Sequence, residues 1–109
     1  EVRLIGLTDD QMKALQEKYS FYVPIEVEAE TYKGMKEPVS VPSMNAVLIC
    51  NKDLPEELVY EMTKVLFENK DEMTHAKKAF ISAEYAVGGI PVPFHPGAEK
   101  YFKEIGLLK

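Results

Sequence analysis

The 109-residue sequence has no tryptophan, one cysteine, one arginine and two histidines. A single thiol, Cys50, excludes an internal disulfide. Its place at the end of the apolar run Ala46-Val47-Leu48-Ile49-Cys50 points to a small buried hydrophobe. Neither His75 nor His95 has a second His or Cys at ligand spacing, so a metal site has no motif behind it. The apolar runs end after a few residues, far short of the ~20 that a membrane-spanning helix needs. There is no G-x-S-x-G, no phosphate loop and no dinucleotide fingerprint, which leaves catalysis and cofactor binding without a motif. The start, Glu1-Val2-Arg3-Leu4-Ile5, lacks the basic region and long apolar stretch of a signal peptide, so the chain reads as cytoplasmic or as a fragment.

What is present fits one folded unit. Apolar residues make up 46% and charged residues 28%, a globular balance that argues against disorder. The net charge is −5 and the basic residues form no stripe, which excludes nucleic acid as a partner.

The hydrophobic period switches along the chain. Residues 2–7 are mostly apolar and predict a strand. Thr8 then opens a helix: Gln11 completes a capping box, Asp9 and Asp10 favour the positive end of the dipole, and Met12, Leu15 and Tyr19 form the buried stripe. In residues 21–32, Phe21, Val23, Ile25, Val27 and Ala29 alternate with Tyr22, Pro24, Glu26, Glu28 and Glu30. This predicts a strand with a wet acidic face, and Pro24 places it at a sheet edge or in a crossing between sheets. A turn over residues 32–38 leads to an apolar stretch, 39–50, whose strongest strand signal is residues 44–50.

Pro55, Glu56 and Glu57 signal a helix start, and Leu58, Val59, Met62, Val65 and Leu66 give it a broad apolar face. Met73, Ala76, Phe80, Ala83 and Val87 predict another helix over residues 72–87, stopped by Gly88-Gly89. The prolines of Ile90-Pro91-Val92-Pro93 enforce an extended path. Pro96 opens a last helix with Ala98, Tyr101, Phe102 and Ile105 inward and Gly106 ending it.

Few residues carry candidate chemistry. His75 stands on a charged face beside Lys77 and Lys78 and reads as a solvated histidine. His95 precedes a helix N-terminus, where free amides can hold an anion, although capping the helix or packing on Phe94 is the simpler role. A Cys50–His95 hydrolase or transferase would need the fold to bring them together and the thiol to be activated. Arg3 can grip a carboxylate or form a structural pair.

The tail Pro93-Phe94-His95-Pro96-Gly97-Ala98, with Tyr101, Glu104 and Gly106 beyond it, resembles the ending of the TAXI-family solute-binding receptors of TRAP transporters. The similarity runs upstream in the same order through Lys18-Tyr19-Ser20-Phe21-Tyr22, Thr31-Tyr32-Lys33-Gly34, and Asp53-Leu54-Pro55-Glu56-Glu57-Leu58-Val59-Tyr60. It departs at Glu26-Val27-Glu28-Ala29-Glu30, where that family often has a proline.

The resemblance implies an α/β fold: the C-terminal fragment of a two-lobed periplasmic-binding-protein-like fold, in the order β-α-β-β-α-α-α. Residues 1–38 would be the end of the second lobe and the crossing segment, and residues 39–109 the return strand and C-terminal helices. It further implies an extracytoplasmic, periplasmic binding protein that is not an enzyme. Such a protein captures a small organic anion or amino acid such as glutamate and delivers it to the TRAP transporter membrane subunits. Tyr32, Ser43 and Asn45 are the residues it places nearest the ligand. The alternative is a standalone interaction module whose apolar faces pair with another copy, as a homo-oligomer, or with another protein.

Overall fold

In the computed structural model, which describes residues 3–109, the chain is a mixed α/β fold whose internal contacts separate it into two units. Among the described residues, one comprises residues 3–46 and 89–91, the other residues 47–88 and 92–109.

The first unit is built on an antiparallel ribbon of β1 (Tyr22–Val27) and β2 (Val39–Met44). Its register sets Val23 opposite Ser43, Ile25 opposite Val41 and Val27 opposite Val39 on one half-buried face. Glu26 and Ser40 fall on the exposed face, as do the paired prolines Pro24 and Pro42. A proline can occupy a ladder only where its missing N–H would point outward. In this register the outer carbonyl of Ser40 accepts from Leu7 N–H at 3.1 Å, which puts Glu26–Ser40, and hence Pro24–Pro42, at the pairs without cross-strand bonds. The ribbon therefore lacks one donor in the middle of each outer edge, a protection against further strand pairing.

Helix α1 (Asp9–Lys18) is capped as expected: Thr8 Oγ1 accepts from Gln11 N–H at 3.3 Å, and Gln11 Oε1 accepts from Thr8 N–H at 3.0 Å. Met12 is buried and Gln16 Nε2 donates to the Tyr22 carbonyl at 3.0 Å, tying the helix to β1. Tyr19, expected in the buried stripe, is exposed, because it lies past the helix end in the tight turn where Tyr22 N–H donates to its carbonyl.

The predicted first strand does not form among the described residues. Val2 lies outside them, and residues 3–8 run along β2 with the single Leu7–Ser40 bond. The approach is close: a Cβ on Gly6 would stand 2.7 Å from the Ser40 carbonyl oxygen, so only glycine fits. The predicted strand over residues 44–50 is also corrected. β2 ends at Met44 because β1 has nothing further to pair with, the Tyr22 amide being already turned back to Tyr19. Cys50 is consequently exposed and not the buried hydrophobe its neighbours suggested.

The second unit is a pair of packed helices, α2 (Glu56–Glu68) and α4 (Pro96–Glu104), with short structure between them. Tyr60, Tyr101 and Phe102 form its core, joined by Phe67, Phe94, Ala98, Leu107 and Leu108 at their margins. Pro55 is the residue before α2 rather than its first turn. α4 closes with a Schellman motif: Gly106 has φ 77°, Leu107 N–H reaches the Phe102 carbonyl at 2.8 Å, and Gly106 N–H reaches that of Lys103 at 3.0 Å. Ile105 lies at this exit and is exposed, against expectation.

The helix predicted over residues 72–87 breaks into two 3-10 turns (Lys70–Glu72 and Ala76–Phe80) and the short α3 (Ala83–Ala86). Local side-chain bonds compete with the helix there. His75 Nδ1 accepts from Lys77 N–H at 3.1 Å, and Lys78 Nζ donates to the Asp71 carbonyl at 2.7 Å. Both bonds favour tight turns over a continuous helix.

Candidate functional site

The residues the resemblance placed near a ligand fall at two ends of the first unit. Tyr32 is exposed in the β1–β2 connection, where Glu30 (φ 64°) and Gly34 (φ 96°) turn the chain, Glu30 N–H donates to the Met35 carbonyl at 2.9 Å, and Met35 is buried as the anchor. Ser43 pairs with Val23 at the other end, four positions from the Val27–Val39 pair that adjoins the turn. At ~3.3 Å per residue, this puts Ser43 roughly 13 Å along the ribbon from the turn carrying Tyr32. Asn45 follows just beyond the strand, and both it and Ser43 are half-buried. The structure thus brings Ser43 and Asn45 into one neighbourhood and leaves Tyr32 outside it. Arg3 and the acidic row Glu26, Glu28 and Glu30 are exposed.

The tail motif serves a joint between helices. His95 is the N-cap of α4, its Nδ1 accepting from Gly97 N–H at 3.2 Å, and its Nε2 lies 3.2 Å from the Leu54 carbonyl just ahead of α2. A nitrogen that accepts from an amide carries no proton, so the proton sits on Nε2 and is donated to Leu54. Gly97 sits where the two helices touch: a Cβ there would lie 2.2 Å from the Glu56 carbonyl oxygen and 2.6 Å from the Tyr60 nitrogen. Histidine, proline and glycine in succession therefore cap α4, start it and let its first turn press on α2. The anion-site reading of His95 loses its amide to this bond.

A second cluster, absent from the sequence reading, surrounds Tyr60. Its hydroxyl donates to Glu104 Oε2 at 2.7 Å, while Lys100 Nζ and Lys64 Nζ stand 4.6 Å and 5.7 Å from its ring centroid. Lys100 also bonds Glu57 at 3.1 Å. Tyr60 and Glu104 are 44 positions apart, so no local pattern announces the contact.

The hydrogen bond to Glu104, then desolvation, holds the Tyr60 hydroxyl above its ordinary value, and burial does the same to Tyr101. Lys64 is raised by Tyr60 and Glu68, and Lys100 by its bond to Glu57. All four shifts are upward, so the stability they contribute is complete below the ordinary values of 10.0 and 10.5 and is lost as pH rises through the raised ones. The melting temperature should therefore fall above about pH 10. Tyr60→Phe should make that fall shallower while lowering the melting temperature at neutral pH. Equal slopes for the two proteins in a pH series of thermal melts would contradict the assignment.

Among the described residues, no group of three His, Cys, Asp or Glu side chains could hold a metal ion. No described helix is long and apolar enough to cross a membrane. The half-buried Ser82 carries the one buried side-chain polar atom recorded without a hydrogen-bond partner among the described residues. A family model described as the NMT1-like family matches residues 1–106, nearly the whole chain.

Proposed function

The chain belongs to the NMT1-like family, a periplasmic-binding-protein-like family with a general solute-binding role, and on that footing we propose a receptor of the TAXI type serving a TRAP transporter. The cargo is a small organic anion or an amino acid such as glutamate, handed without chemical change to membrane subunits on the extracytoplasmic side.

The family match over residues 1–106 carries the solute-binding part of this reading, and the resemblance of the His95-Pro96-Gly97 tail to TAXI-family receptors suggests the rest. The tail itself fastens α2 to α4, and we assign the ligand contacts to the ribbon. Residues 1–38 then act as the end of a lobe and a crossing segment, and residues 39–109 as the return strand and closing helices. Ser43 and Asn45 are polar side chains at the end of β2 and would donate to or accept from the ligand. Tyr32 joins them only if domain closure brings the connecting turn to the cleft.

A thermal-shift screen with dicarboxylates, glutamate and glutamine tests the reading, run on this chain and on a longer receptor polypeptide containing it. A ligand at 100 times its dissociation constant adds about 2.7 kcal/mol. The longer receptor should respond to at least one of these compounds. Ser43→Ala and Asn45→Ala should each weaken that response about tenfold in affinity, the equivalent of one good polar contact. No response to any of them would remove the transport reading, and a response untouched by both substitutions would move the site elsewhere.

A further inference from the structure

The joint between α2 and α4 lies wholly within the second unit, and the histidine at its centre is of the one side-chain type that ordinarily changes charge near neutral pH. His95 Nδ1 accepts from Gly97 N–H at 3.2 Å while Nε2 donates to the Leu54 carbonyl at 3.2 Å. One acceptor and one donor are therefore in use at once, an arrangement open only to the neutral ring. A second proton makes Nδ1 a donor facing another donor, the Gly97 amide. Turning the ring to escape this gives up the Leu54 carbonyl, 41 positions away in the chain.

Burial makes the conflict costly. Gly97 is buried where α4 presses on α2, so its amide cannot readily exchange the histidine for water. The added charge also falls at the positive end of the α4 dipole. His75 supplies the contrast: its Nδ1 accepts from Lys77 N–H at 3.1 Å in the same way, but both residues are exposed and water replaces a lost bond. The charged residues nearest the joint in sequence are Lys52, Asp53, Glu56 and Glu57 on the α2 side and Glu99 and Lys100 on α4. Glu57 is paired with Lys100 and Glu99 with Lys103, and Tyr60 gives its hydroxyl to Glu104. Asp53 and Glu56 are exposed, so solvent weakens their pull on a protonated ring.

We propose that His95 is an acid-sensitive latch: its protonation uncaps α4 and loosens the α2–α4 pair. The loosened pair takes up the proton more readily than the joined one. The joint is therefore complete above the ordinary range of histidine protonation, about pH 6.5, and weakens as pH falls below it. The bistable element is the first turn of α4, whose cap is made by a side chain that loses its acceptor on gaining charge. The inference stands on this joint alone and is independent of the transport reading.

Amide hydrogen exchange tests this on the natural polypeptide that carries the chain, with rates corrected for the intrinsic pH dependence of exchange. Helix α1, capped by Thr8 and Gln11 without a histidine, is the reference within the same molecule. From about pH 7.5 to about pH 5.5, either side of the histidine range, protection of α4 relative to α1 should fall about tenfold, the effect of one lost hydrogen bond. His95→Asn keeps a capping oxygen that takes up no proton, so its α4 protection should not change over this range. His75→Asn should behave as the parent does. Nitrogen NMR of the parent needs no variant and should find Nδ1 of His95 bare at neutral pH. A proton on that nitrogen overturns the proposal. So does α4 protection that is flat in pH, that rises on acidification because the carboxylates prevail, or that still falls in His95→Asn.

Discussion

Gly97→Ala should unfold the second unit or lower its stability by about 3 kcal/mol or more, because the added methyl has no room to relax. The obstructing atoms are the Glu56 carbonyl oxygen at 2.2 Å and the Tyr60 nitrogen at 2.6 Å, both backbone of α2, so no side-chain rotation relieves the clash. The helices would have to separate, and with them His95 would lose either its bond to Gly97 N–H or its contact with the Leu54 carbonyl. Urea denaturation followed by circular dichroism reads the effect. Gly88→Ala is the control, since nothing stands within 4 Å of a Cβ there. If Gly97→Ala melts within about 1 kcal/mol of the parent, below the usual cost of overpacking, the close approach of α4 to α2 is wrong.

Phe102→Ala should cost about 3–5 kcal/mol, the range for removing a buried phenylalanine ring. Phe102 is 5% exposed and sits edge-on to Phe67 and to Phe94, each with centroids 5.5 Å apart. Its carbonyl also accepts from the Leu107 and Leu108 amides that close α4. Deleting the ring leaves a void in a core with three buried residues, and so small a core has little with which to refill it. Phe102→Leu, which keeps most of the volume, should cost clearly less. Equal losses in the two variants would mean that ring stacking, and not filled space, holds the helices.

Several elements were legible before any fold was in hand, for a common reason. Thr8 with Gln11, Pro96 with His95 at the start of α4, and Gly106 at its end are signals between residues within a few positions of each other. Their bonds close inside one turn and need no partner from elsewhere. The alternation over Val23, Ile25 and Val27 was legible in the same way, since one wet face and one half-buried face repeat every second residue.

Where the reading went astray, the missing information was the identity of the neighbour. Residues 45–50 are as apolar as a strand, yet no strand lies beside them, because β1 has already turned back at Tyr22. Leu58, Met62 and Val65 were expected inward on periodicity alone, and α4 chose the other side of α2 through Gly97. In residues 72–87 the helical spacing was present, but bonds made by His75 and Lys78 held the backbone in tight turns.

The sequence by itself determined the local punctuation of this protein, its class and its periplasmic-binding-protein-like kinship, because caps, turns, alternation and an ordered string of residues act over a few positions and survive any packing. The tertiary structure alone decided which face of α2 is covered, that Tyr60 meets Glu104 across 44 positions, and that the histidine of the tail bonds a carbonyl 41 positions away. Contacts of that kind form between surfaces shaped by separate stretches of chain, and no short-range pattern in either stretch specifies the other.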